Sequence, residues 1–501
     1  MIPRAAATIC LVLLVYWPSL GAGFVWDDDA HILNNQAVTN PAGLSQIWTS
    51  ADAVYYPLTS TVFWVQYRLW GSTPFPYHLF NILLHLANVF LLWGLLARLK
   101  IGVAWLAALL FALHPVHVES VAWITELKNL LCGFFILLSA HAYLRRDRNG
   151  YIASLLCFTL SLLAKPAAVM FPALLLLYEW RKQSPVDQKL FGRIAPFAAV
   201  ALPAGLWTVW EQVFHSGARG EPWALAFGER IILAGKVIPF YLGKLIWPHP
   251  VSFIYDRWEI NPADPAAYLG ILFTVTLLGA VWMAFKRGIP APFWAVVFFI
   301  ITIFPFLGFM NIYFFRYTFV ADHFLYLASI GPLVLLASRL AKPKALPYLI
   351  VPVLCLLTFS GTKRFHNSES LWRSTIASTQ RPWLAHNNLG NILTQRLDHA
   401  QAARHYMKAI HYKPDFAEAH ANLATTLTRA GRFAEAAEQQ LTALRFEPDY
   451  AEAHNGLGIA LSELGKTEEA VYHFREAVRI KPDNPIFRRN LSELVEGFEQ
   501  V

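Results

Sequence analysis

The sequence predicts an all-α protein in two parts: a polytopic transmembrane helix bundle of about 11 spans, then a C-terminal α-solenoid of short helical repeats. Three observations carry this. The 501 residues are 56% hydrophobic and 15% charged, against about 45–50% and about 25% in ordinary globular chains. The apolar excess is confined to residues 1 to about 360, a series of apolar runs broken by short polar clusters, whereas the remainder has the composition of a soluble helical protein. That remainder also repeats itself at a fixed period. The expected organisation is a membrane domain over 1–361, a linker over 362–382, three repeats over 383–482 and a capping helix over 483–501.

A spanning helix needs about 20 mostly apolar residues, fewer where a bundle shields it. Eleven segments meet that test, at about 5–23, 78–97, 101–116, 127–144, 150–164, 166–180, 194–213, 266–285, 292–310, 323–340 and 346–361. The first follows Arg4 and reads as an uncleaved span, because Trp17 and Pro18 interrupt it and no small-residue cleavage site follows. The run 229–247 carries Glu229, Arg230, Lys236 and Lys244 and reads as an interfacial amphipathic helix.

Basic residues set the expected topology. With the N-terminus inside, Arg98 and Lys100, Arg145, Arg146 and Arg148, Arg181, Lys182, Lys189 and Arg193, Lys286 and Arg287, and Arg339, Lys342 and Lys344 all fall in cytoplasmic connections. The long loops 24–77 and 214–265, and the C-terminal repeats, then lie outside. The formal charge of +8 is thus a topology signal, and no nucleic-acid partner is expected. Cys10, Cys132, Cys157 and Cys355 all sit in apolar runs without CxxC spacing, so neither a disulfide framework nor a zinc site is expected.

The repeat period is 34. Pro414, Pro448 and Pro482 share it, as do His386, His420 and His454; Leu389, Leu423 and Leu457; and Ala402, Ala436 and Ala470. Small residues at Gly390, Ala424 and Gly458 let paired helices approach. This is the tetratricopeptide-repeat (TPR) pattern, whose default role is to bind protein or peptide on a concave face. Leu397 replaces the turn glycine of Gly431 and Gly465, which predicts a looser first turn. The repeated histidines read as packing residues.

Polar residues that an apolar chain retains mark the candidate site. Asp27, Asp28 and Asp29 follow the first span directly; a carboxylate there suits a general base or, as an alternative, a divalent-cation ligand. The aromatic stretch 55–71 reads as an interfacial helix covering the site. His114, His117 and Glu119 form an HxxH-x-E cluster, for which metal binding and cavity lining stand as alternatives, Pro115 arguing against the first. Lys165, Arg316, Asp322 and His323 are intramembrane or juxtamembrane charges, costly and often functional, with snorkelling to the interface as the alternative for each. Such cations suit a lipid phosphate.

Taken together, Phe24-Val25-Trp26-Asp27-Asp28, Tyr56-Pro57-Leu58-Thr59, His114 through Ala122, Ala164-Lys165, Val320 through Gly331 and the repeats resemble the transmembrane and tetratricopeptide-repeat-containing (TMTC) proteins, in a bacterial form. That family is similar to the C-type glycosyltransferases, such as protein O-mannosyltransferases, which take sugar from a polyprenyl-phosphate carrier on the outer side of a membrane. The resemblance implies that Asp27-Asp28 supplies the catalytic base, with Asp29 an extra acid, and that Lys165 holds the carrier phosphate. Arg316 joins it by placement. His323 stands where the animal members have Arg, and Glu126-Leu127-Lys128 replaces an Arg-containing segment.

The expected activity is therefore transfer of a mannose-like hexose from a polyprenyl-phosphate carrier to an acceptor hydroxyl, with the repeats recruiting a protein acceptor. No cofactor is required, a divalent cation at Asp27 and Asp28 being the alternative. The expected location is a bacterial inner membrane, in contact with its lipid, with the repeats periplasmic. The competing reading is a non-enzymatic, membrane-anchored TPR scaffold for envelope assembly.

Overall fold

A computed structural model describes residues 2–49, 56–183, 187–342 and 346–499. Tyr55 and Lys344 lie outside these residues. All regular secondary structure among the described residues is helical, without a strand, and the chain divides into two compact units, Met1–Leu371 and Trp372–Val501.

All eleven expected spans coincide with helical segments. Among the described residues, six helices are long and apolar enough to cross a membrane: Ile2–Gly21, Pro74–Arg98, Ile124–Tyr143, Gln188–His215, Pro265–Lys286 and Leu346–Phe365. The number rises to eight if each of two bent pairs is one span. Ala104–Leu113 and Pro115–Ala122 meet at 56°, and Asp322–Ala328 and Ile330–Leu340 at 70°. The first bend has a direct cause. Pro115 lacks an N–H and disfavours α conformation at His114, which is extended at φ −75°, ψ 129°. Arg148–Ala164 and Ala291–Phe306 are shorter apolar helices, and Phe227–Ile246 is the helix expected at the interface.

Burial separates lipid-facing helices from core ones. Pro265–Lys286 is only 6% buried despite its apolar composition, whereas Ile124–Tyr143 is 67% buried. An apolar helix exposed all round is stable only in lipid. Two apolar clusters flank the buried helix. One centres on Phe158, Phe171 and Phe197 and includes Ile124, Leu127 and Ala164; the other centres on Tyr241, Phe299 and Phe319 and includes Val116 and Ala321.

In the second unit, helices Trp383–Gln395 and His399–Tyr412, Ala417–Arg429 and Phe433–Phe446, and Ala451–Glu463 and Thr467–Ile480 form three antiparallel pairs, followed by Pro485–Glu499. The segment 362–382, expected as a linker, carries helix Ser368–Ser378. A Cβ on Gly390 would stand 2.5 Å from the Tyr406 ring and one on Gly458 2.7 Å from Phe474, so these positions set the helix spacing. The first turn is not looser than the others. Leu397 adopts φ +63°, beside +73° at Gly431 and +77° at Gly465; the same turn is kept with a side chain that disfavours it.

The repeated histidines pack through hydrogen bonds. Nε2 of His420 and His454 lies 3.0 Å from the carbonyls of Pro414 and Pro448. Their Nδ1 atoms face Gln439 at 2.8 Å and His473 Nδ1 at 3.0 Å, while His386 Nδ1 faces His405 Nδ1 at 2.8 Å. A ring-to-ring bond requires at least one neutral imidazole. Burial, then His405 and Lys408, lowers His386 to about 4, and burial, then Lys408 and Arg373, also lowers His405.

A histidine held down contributes stability that is present above its unfolded value and lost as pH falls through the folded one. The repeat unit should therefore lose melting temperature between about pH 6.5 and pH 4. His405→Gln, which copies the His420–Gln439 pair, should flatten that loss in thermal scans of the full-length protein across this range.

Candidate functional site

The site begins where the first span releases the chain. After Gly21 the backbone N–H of Gly23 donates to the His366 carbonyl at 2.9 Å, and Trp26 takes φ +51°, a left-handed conformation that costs a bulky residue about 1–3 kcal/mol. Packing holds it there: the Trp26 ring lies 4.8 Å from Phe253, 5.8 Å from Tyr317 and 6.4 Å from Trp123.

That turn distinguishes the two aspartates. Asp28 is fully buried, its N–H donating to Val25 O at 3.1 Å while Val25 N–H donates to Asp28 Oδ2 at 2.8 Å. Its Oδ1 is 2.9 Å from the donating Thr125 N–H and also meets the Thr125 hydroxyl. Burial pushes the Asp28 carboxyl up to about 8; hydrogen bonds from Thr125 and Val25 oppose this and the Asp27 charge adds to it. Asp27 keeps a side chain 29% exposed, with Oδ1 3.2 Å from the Thr125 hydroxyl and Oδ2 3.5 Å from His31 Nε2. Asp29 is exposed at the start of the next turn, Asp29–Leu33.

Thr125 leads directly into a buried charged cluster. The next residue, Glu126, is 1% exposed, with Oε1 2.8 Å from Lys128 Nζ and Oε2 3.6 Å from Lys165 Nζ. Asn129, one turn on, accepts from Lys165 Nζ at 2.6 Å and donates to Glu126 at 2.5 Å and to the His323 carbonyl at 3.0 Å. Lys165 is presented by a chain break: Pro166 forces extended backbone (φ −159°) between helix Arg148–Ala164 and the turn Pro166–Met170. Thr59, in helix Pro57–Trp70, donates to the Ala164 carbonyl at 3.0 Å, and the preceding Tyr56 lies under Lys128. The stretch expected to cover the site therefore packs against it.

His323 Nδ1 is 2.6 Å from Glu119 Oε1, and its backbone N–H donates to Glu119 Oε2 at 3.2 Å. Asp322, also buried, accepts from the Tyr255 hydroxyl, which is 3.0 Å from both oxygens.

Of the residues expected from sequence, Asp27, Asp28, Lys165, Glu119 and His323 are thus joined by one network through Thr125, Glu126 and Asn129. His114 and His117 are not. His114 Nε2 donates to the Leu245 carbonyl at 3.1 Å; His117 bonds the Phe111 carbonyl at 2.7 Å and the Ser329 hydroxyl at 2.9 Å. They brace the helix bend. Arg316 is exposed, its Nη1 2.6 Å from the Tyr313 hydroxyl and its guanidinium over the Tyr313 and Tyr317 rings; Tyr317 in turn lies 5.8 Å from Trp26. Among the described residues no three His, Cys, Asp or Glu side chains are grouped to hold a metal ion. Sequence reasoning missed Thr125 and Asn129, and took Glu126 and Lys128 only as a departure from a pattern. Their signal was two charges at the start of an apolar span.

A recess of about 30 Å³ adjoins Asn129, Phe306 and His323. It shares Ile136, Phe171, Leu174, Thr302 and Leu327 with an apolar cavity of about 510 Å³ that extends to Lys100 and Arg181.

Comparison with known proteins adds the following. The tetratricopeptide-repeat family matches residues 415–483. A protein O-mannosyl-transferase of Caenorhabditis elegans is 24% identical over 451 residues, covering 82% of this chain and 63% of its own. Human protein O-mannosyl-transferase TMTC1 is 26% identical over 487 residues, covering 81% and 54%. Protein O-mannosyl-transferase tmtc2 of Xenopus laevis is 34% identical over 164 residues, 30% of this chain and 20% of its own. The chain thus spans about half to two thirds of the relatives that it matches along most of its length. Among solved structures, the first TPR domain of human RPAP3 is 22% identical, with 24% of this chain and 93% of that one covered and a TM-score of 0.23. The TPR protein YrrB is 16% identical, with 32% and 79% covered and a TM-score of 0.23.

Proposed function

From its standing as a TMTC-like membrane protein with a TPR tail, we propose that this chain is a glycosyltransferase that moves a mannose-like hexose from a polyprenyl-phosphate carrier to an acceptor hydroxyl on protein. The observation that carries this reading is a half-exposed carboxylate, Asp27, set beside a buried cluster with two lysines and one glutamate. Asp27 takes the proton of the acceptor hydroxyl. The oxygen attacks the anomeric carbon from the face opposite the phosphate, and the C–O bond to phosphate breaks with its electron pair leaving on the phosphate oxygen. Configuration inverts, and the products are the glycoside, polyprenyl phosphate and protonated Asp27.

Each other residue has a part in that sequence. Asp28, with its oxygens engaged by Val25 and Thr125, fixes the turn that presents Asp27. Lys165 attracts the carrier phosphate, His323 lies beside it on Asn129, and the apolar cavity continuing from the recess suits a hydrocarbon chain. The chemistry needs no metal. In the eleven-span topology the N-terminus is cytoplasmic in a bacterial inner membrane, and Asp27 and the repeats share the periplasmic side, so the repeats recruit the acceptor. The scaffold reading accounts for the repeats but leaves the buried Glu126–Lys165 pair without a purpose.

Membranes containing the protein, supplied with radiolabelled polyprenyl-phosphate hexose, should transfer label to protein, and membranes from a deletion strain should not. Equal labelling in both would remove the assignment.

A further inference from the structure

We propose that Lys128 is a ligand of the donor's phosphate, a role that rests on the glycosyltransferase reading and that sequence alone did not assign to it. An ammonium has three N–H donors. Lys128 has one carboxylate at contact distance, Glu126 at 2.8 Å, and its Nζ otherwise lies over aromatic faces, 5.3 Å from the Trp123 ring centre and 5.7 Å from that of Tyr56. Lys165, by contrast, is engaged by both Asn129 and Glu126.

Lys128 is also the more accessible of the two, with 12% of its side chain exposed against 8% for Lys165. It interacts electrostatically with Asp27 and Asp28 as well as Glu126. It therefore lies between the carboxylate that activates the acceptor and the cluster that holds Lys165. Trp123, which lies under Lys128, is also 6.4 Å from the strained Trp26.

Position assigns the role. Lys128 shares Glu126 with Lys165, at 2.8 Å and 3.6 Å, and stands in the field of Asp27 at the start of a mostly apolar helix, where a buried charge is costly and often functional. A sugar phosphodiester carries one negative charge; once the C–O bond to the sugar breaks, the phosphate monoester left on the carrier carries up to two. An ammonium beside Asp27 stabilises that second charge as it develops, and stabilisation realised in the transition state raises rate. Aromatic faces hold the ammonium without competing acceptors.

The test uses full-length protein in detergent, with donor KM and kcat measured alongside thermal shifts from farnesyl phosphate, farnesol and inorganic phosphate. Lys128→Met should raise donor KM at least tenfold, lower kcat, and lose the farnesyl phosphate shift while keeping any farnesol shift; Lys128→Arg should retain most of each. A shift produced equally by inorganic phosphate would identify a free-anion site and overturn the assignment to the carrier. So would an active Lys128→Met enzyme with unchanged donor KM and an unchanged farnesyl phosphate shift.

Acylation footprinting of the wild type works even if the variant misfolds. Farnesyl phosphate should shield Lys128 and farnesol should not, and equal labelling in both would reject the proposal. A wild type that transfers no sugar yet shows Lys128-dependent farnesyl phosphate binding would instead refute the glycosyltransferase reading and leave the phosphate seat standing.

Discussion

Asp27→Asn is expected to lower sugar transfer by about 10²–10⁴-fold, the range of a lost general base, while the melting temperature of the detergent-solubilised protein stays where it was. Asparagine has the size of aspartate and can still accept from the Thr125 hydroxyl, so the turn survives and only proton acceptance is lost. The side chain is 29% exposed and holds no backbone donor in place. Asp28→Asn should behave differently. Its oxygens accept from two backbone N–H groups, those of Val25 and Thr125, and an amide NH₂ must face one of them. Leaving a buried donor unsatisfied costs about 1–3 kcal/mol, so this variant should lose melting temperature as well as activity. The pair of assays separates base from brace. If Asp27→Asn transfers sugar at the wild-type rate, the base lies elsewhere.

Glu126→Gln should be the most destabilising single change in the membrane unit, at about 3–5 kcal/mol, because it removes the counter-charge of two buried lysines. Adding Lys165→Gln should recover part of the loss, since removing both members of a buried pair costs less than removing one. Chemical or thermal unfolding of the two single variants and the double variant measures this coupling. Strictly additive losses would mean that Glu126 and Lys165, 3.6 Å apart, act independently.

The architecture was legible because its signals are local. Apolar runs, a period of 34 and a proline after Lys165 can each be read along contiguous chain. The aspartates at 27 and 28 stood out for the same reason. What joins them to the rest did not. Asp28 meets Thr125 across 97 residues and His323 meets Glu119 across 204, pairings that depend on how helices pack and leave no mark on spacing.

The histidines of the HxxH cluster were assigned to the site because their chemistry allowed it. In the fold, His117 takes the Phe111 carbonyl that the Pro115 break leaves without a helical partner, and His114 takes the Leu245 carbonyl at the end of helix Phe227–Ile246. Arg316 was placed by its neighbourhood in sequence, yet aromatic stacking carries its guanidinium to the exposed rim. Leu397 illustrates the converse: a residue that predicted a looser turn keeps the same left-handed turn as the glycines, because the paired helices on either side fix the backbone.

The helix Pro265–Lys286 packs along Phe227–Ile246 and Ala291–Ile303 and leaves most of its surface exposed. Near its start, Gly270 meets Gly235 so closely that a Cβ would come within 2.3 Å of the Gly235 carbonyl oxygen, and near its end Val281 joins a small cluster with Phe293 and Val296. Its outer face is apolar and exposed, so its position also answers to partition into hydrocarbon. Bilayer thickness then becomes a structural variable for this protein: a thinner membrane must tilt this helix about its glycine contact, while the buried helices beside the site keep their packing. Its tilt should follow acyl-chain length when site geometry does not.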